Sequence, residues 1–145
     1  HPVTALLLDI GALYLLYLPP LFQLSFSEPS LHIWLHLHFV LAGYLFSWSI
    51  AGPDPAPHRP GMRLRLLVLF AAIAAHAVLG KLMYAYGFPR DAGLELAEIE
   101  AAAQLMYYGG DLAELILALV FFAGWYRRRR LSESASEWQT ANRRS

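Results

Sequence analysis

Three histidines, His32, His36 and His38, fall within Leu31 to Gly43, LHIWLHLHFVLAG, a stretch otherwise apolar enough to cross a membrane. Imidazole is costly to place in hydrocarbon and is the commonest side-chain metal ligand, so this spacing points to metal or heme chemistry. Further ionisable groups sit in apolar surroundings: Asp9, His76, Lys81, Asp111 and Glu114. The chain has no cysteine, which excludes disulfides and thiolate sites. Any metal must be held by nitrogen, oxygen or a thioether such as Met83, although methionines at helical positions mostly fill cores.

The elements that must position these groups follow from composition. Hydrophobic residues make up 57% of 145 and charged residues 15%, where a soluble domain carries about a quarter charged. Four segments approach the roughly 20 apolar residues that span a bilayer: residues 3–22, 31–50, 64–86 and 101–125. The expected fold is all-α, a polytopic membrane four-helix bundle over residues 1–126, followed by a short, mobile polar tail over 127–145. No internal repeat is visible. The chain opens on His without a signal-peptide pattern, so a piece of a longer protein is expected.

Orientation follows from the basic residues, because Lys and Arg in short loops stay cytoplasmic. Arg59, Arg63 and Arg65 follow the second segment, and Arg127, Arg128, Arg129 and Arg130 end the fourth. The connection 23–30 has neither Lys nor Arg, and 88–100 has only Arg90 among Asp91, Glu95, Glu98 and Glu100. A multi-pass membrane protein with both termini cytoplasmic is expected. The RRRR run reads as a topology anchor beside anionic lipid, and a net charge of zero gives no reason to propose nucleic acid as a partner.

Depth decides which groups can meet. Counted from the outer helix ends at about 1.5 Å per residue, His32 lies at the surface, His36 and Lys81 roughly 7 Å down, His38 near 10 Å, and His76 and Asp111 near 15 Å. Residues three, four or seven apart share a helix face. His32 and His36 therefore align while His38 points away, and Gln104, Tyr107, Asp111 and Glu114 form one polar stripe. Packing that stripe against His76 and the second segment hides the polar atoms from lipid, with Gly43, Gly80, Gly109 and Gly110 allowing close approach. Each group also has a plainer reading: His32 as an interfacial residue, His36, His38 and His76 as hydrogen-bonding groups between helices, and Asp111 with Glu114 as a packing network.

HPVTALLLDIGALYLLYLPPLF, HLHFVLAGYLF followed by a DP-x-P loop, AAHAVLGK and QLMYYGGDLAEL occur in this order. Together they resemble the carboxy-terminal half of bacterial CtaG-type cytochrome c oxidase assembly proteins, some of which are fused to CopD-like copper-resistance domains. The likeness covers about 130 of the 145 residues. It implies membrane helices before the matched part, and handling of copper for the oxidase CuB centre. It points to His36, His38, His76, Asp111 and Glu114, and less securely to His32 and Gln104. An oxidase subunit and a periplasmic copper donor are the implied partners.

Imidazoles with a carboxylate or methionine suit copper. On this reading copper passes His32 and His36 from the outer side and rests among His38, His76 and either Met83 or Asp111. No nucleophile with its base is recognisable, so no enzyme is expected. Two alternatives stand beside this: a b-type cytochrome holding heme b between histidines of the second and third segments, and a purely structural membrane subunit.

Overall fold

The computed structural model describes residues 1–18, 21–52, 60–90 and 93–142, with the side chains of 135–141 outside that description. Arg59, Asp91 and the DP-x-P loop fall outside the described residues, as do Pro19 and Pro20. Five helices follow one another: α1 (Pro2–Tyr17), α2 (Leu21–Ser27), α3 (Pro29–Ala51), α4 (Met62–Tyr86) and α5 (Leu96–Asn142). Among the described residues there is no strand.

Local chemistry sets the helix ends. Pro2 and Pro29 open α1 and α3, where a missing N–H costs nothing and φ is already helical. Gly87 ends α4 in the left-handed region at φ 63°, and the Phe88 N–H closes back on the Met83 carbonyl at 3.1 Å, an arrangement that glycine adopts without steric penalty. At the start of α5 the Glu98 carboxylate accepts from the Glu95 N–H at 3.0 Å.

Two expected elements differ. The first span is not one straight helix: α1 and α2 qualify as a membrane crossing only as a pair bent by 82°. The Pro19–Pro20 pair between them in the sequence lacks two backbone donors. The fourth segment, expected over 101–125, begins earlier and continues as helix into the polar tail, to Asn142. After Gly124 that stretch holds neither Gly nor Pro, its Arg, Leu and Glu are good helix formers, and Arg129 pairs with Glu133 at 3.1 Å in i,i+4 register.

Three helices, α3, α4 and residues 96–134 of α5, are long and apolar enough to cross a membrane, or four crossings if the bent pair is one. Large apolar side chains face outward all round, Leu105 at 76% and Val40 at 70% exposure among them. A water-facing surface of this kind would be an aggregation hazard; in hydrocarbon it is the solvated surface.

The core sits in two layers. Ala5, Ile10, Phe46, Ile50, Val68, Leu69, Ala72 and Phe121 form the larger, and Leu79, Met83 and Ala103 the smaller. Arg65, expected in a loop as a topology marker, is instead buried on α4. Its Nη1 donates to the Ile50 carbonyl at 2.9 Å, and its guanidinium lies 5.0 Å over the Phe121 ring. One side chain thus ties the end of α3 and the middle of α5 to the start of α4. That end, with Arg127–Arg130 beyond it on α5, is the arginine end; the other carries α2, the start of α3, the end of α4 and the start of α5.

Candidate functional site

His76 projects from α4 onto the Met106–Gly110 turn of α5. Its Nε2 lies 3.2 Å from the Met106 carbonyl, and since a carbonyl only accepts, Nε2 carries the hydrogen. Nδ1 then faces Glu114 Oε1 at 3.6 Å. Glu114 is buried, and its Oε2 has no hydrogen-bond partner among the described residues. The Tyr14 hydroxyl donates to the Ala75 carbonyl at 2.7 Å, which holds α1 against the same turn of α4.

A cavity of about 220 Å³ opens beside this pair, lined by Asp9, Ser47, His76 and Glu114 among apolar neighbours. Asp9 lies within electrostatic reach of His76, Glu114 and His38, and Asp111 within reach of His76. Of the polar stripe of α5, Glu114 meets His76, and Asp9 of α1 lies beside the pair. Two carboxylates and one imidazole thus border one space between helices, where an unpaired charge is costly.

Glycine makes this possible at one position. A methyl group on Gly110 would overlap the His76 ring, whereas one on Gly109 or Gly43 would meet nothing within 4 Å. Gly80 also approaches α5 closely, a Cβ there lying 3.2 Å from Tyr107. Gly110→Ala is expected to destabilise the bundle by about 1–3 kcal/mol, as overpacking does, while Gly109→Ala leaves it near the parent. Thermal unfolding in detergent measures both.

The histidines of α3 divide between two places. The His32 and His36 rings lie against one another, tilted by 43°, at a centroid separation of 4.4 Å, both exposed. The His36 Nδ1–H donates to the His32 carbonyl at 2.9 Å, which leaves Nε2 with its lone pair outward. A metal-ligating histidine is commonly oriented in this way. Both rings border a cleft of about 350 Å³ beneath α2, walled by Tyr17, Phe22, Phe26 and Phe39. His38 turns toward α1 instead and donates from Nε2 to the Leu8 carbonyl at 2.9 Å.

The expected resting place among His38, His76 and Met83 or Asp111 is not assembled. Met83 is 2% exposed in the core with Leu79 and Ala103, and Gln104 is exposed on α5. Among the described residues no group of three or more His, Asp or Glu side chains is arranged to hold a metal ion. Arg65 and Ser47 were not among the sequence candidates. A basic residue placed inside the first turn of an apolar helix was the available signal for Arg65.

Apolar outward faces on long helices, with Arg65 and Glu114 buried between them, define a helical membrane protein. The chain belongs to the cytochrome c oxidase caa3 assembly factor family, whose profile matches residues 1–128. An uncharacterized protein of Mycobacterium leprae is 32% identical over 139 residues, 88% of this chain and 21% of that protein. Uncharacterized proteins of Mycobacterium bovis and Mycobacterium tuberculosis are each 39% identical over 80 residues, 55% of this chain and 12% of theirs. The chain thus spans about a fifth or less of these relatives. No solved structure matches it.

Proposed function

We propose that this chain serves cytochrome c oxidase assembly as a membrane module that carries copper, as cargo, on the His32–His36 pair. The carrying observation is the adjacent, exposed imidazole pair, in which the Nδ1 bond of His36 to its own helix leaves Nε2 without a partner among the described residues. Two imidazoles give a cuprous ion a low-coordinate site, and imidazole suits copper generally. Release proceeds by ligand exchange, an incoming donor group on an oxidase subunit displacing one imidazole and then the other. A closed cage of four ligands would oppose that release.

The half-buried Asp9 and His76, with the buried Glu114, then serve as a polar joint between α1, α4 and α5. The role is delivery without catalysis. Charge distribution supports an orientation with the arginine end in the cytoplasm and the histidine pair on the outer face of the bacterial plasma membrane, within reach of a periplasmic copper donor. Both termini then lie inside.

Oxidase copper tests this. In a strain lacking the protein, the parent restores copper to the oxidase, and His32→Ala with His36→Ala lowers oxidase copper per heme at least about 10-fold, the scale on which lost metal-site contacts act. Full restoration by that double variant, present at parental levels in the membrane, would refute the reading.

A further inference from the structure

A second concave site lies between α4 and α5 at the α2 end, away from both the histidine pair and the buried acid cluster. It is a cleft of about 460 Å³ floored by Gly80 and Ala103 and rimmed by Lys81, Tyr84, Gln104, Tyr107 and Tyr108. Lys81 is the only Lys or Arg of α4 after Arg65. Its ammonium sits 6.0 Å from the Tyr107 ring centroid and makes no ion pair among the described residues, although Glu95, Glu98 and Glu100 lie at the same end. The amide of Gln104 and the hydroxyls of Tyr84, Tyr107 and Tyr108 likewise form no hydrogen bond among the described residues. One cation, one amide and three phenols thus converge on an apolar floor with their polar atoms unspent.

Level identifies the occupant. Lys81 lies five residues before the end of α4 and Gln104 eight after the start of α5, about 7.5 Å and 12 Å of helix rise. That is the zone where a bilayer passes from headgroup to acyl chain, and where tyrosine and snorkelling lysine are favoured. We propose that this cleft binds the phosphodiester headgroup of an anionic glycerophospholipid of the adjoining leaflet. Lys81 neutralises the phosphate, and Gln104 and the tyrosine hydroxyls donate to its oxygens and to the glycerol. A Cβ at Gly80 would lie 3.2 Å from Tyr107, so a larger residue there would press on the Tyr107 rim.

Native mass spectrometry of the detergent-released chain tests this with added dioleoylphosphatidylglycerol and, separately, dioleoylglycerol. Arg127–Arg130 are replaced by Gln throughout, so that generic lipid attraction to that run is absent. The expected result is retention of one phosphatidylglycerol, weakened about five-fold by Lys81→Gln, the effect of one basic residue near an anionic membrane surface, and kept by Lys81→Arg. Dioleoylglycerol, which lacks the phosphate, is not retained. Equal retention by the parent and Lys81→Gln, or equal retention of dioleoylglycerol, would overturn the proposal and leave the cleft to packing against another protein helix. A Gln104→Leu, Tyr84→Phe variant keeps the charge and is expected to weaken retention also. Unchanged binding there would contradict the donor role.

Discussion

Replacing His76 by leucine is expected to destabilise the folded bundle by about 3–5 kcal/mol, because the change strands the Glu114 carboxylate in a buried site with its partner gone. A neutral hydrogen bond between membrane helices contributes only about 0.6 kcal/mol on average. The size of the loss therefore separates a mutually dependent pair from a dispensable contact. The double variant His76→Leu, Glu114→Leu removes both members and should recover most of that stability, since a buried pair replaced by apolar groups is often neutral. Thermal or denaturant unfolding in one detergent measures all four corners of the cycle. Independent, additive losses from the two single changes would show that His76 and Glu114, 3.6 Å apart, do not act as a unit.

His32→Ala with His36→Ala is expected to lower cuprous affinity by at least about 10-fold, the loss typical when groups around a metal site are removed. Competition against a chromogenic cuprous chelator reads this on the purified chain. His38→Ala should keep parental affinity, because that ring is spent on the Leu8 carbonyl. Met83→Leu should do so as well, its sulfur lying in the core. The contrast between His36 and His38, two residues apart, is a direct consequence of helix geometry.

Much of this was legible in the chain. The 3.6-residue period put His32 and His36 on one face and separated His38, and the adjacent ring pair and the Leu8 contact have that arrangement. Spacing also gathered Asp111 and Glu114 into a stripe opposite His76, and its Glu114 end is in place. Three things were not legible. Apolar period does not say where a helix stops, so the run of α5 through the arginines to Asn142 was missed. Counting arginines by loop assigned Arg65 to topology, whereas its burial depends on Ile50 and Phe121, partners distant in sequence. Equal depth along different helices does not ensure convergence, since each ring turns to whichever carbonyl or carboxylate is nearest. His76 turned to α5 and His38 to α1, so the expected shared site was divided.

X-ray absorption at the copper edge, recorded on the chain loaded with one cuprous ion, tests copper carriage on the α3 pair most directly. Imidazole scattering from two nitrogen ligands is predicted in the parent and lost in His32→Ala, His36→Ala. The same imidazole signature persisting in that variant, or a parental spectrum dominated by sulfur, would contradict the assignment.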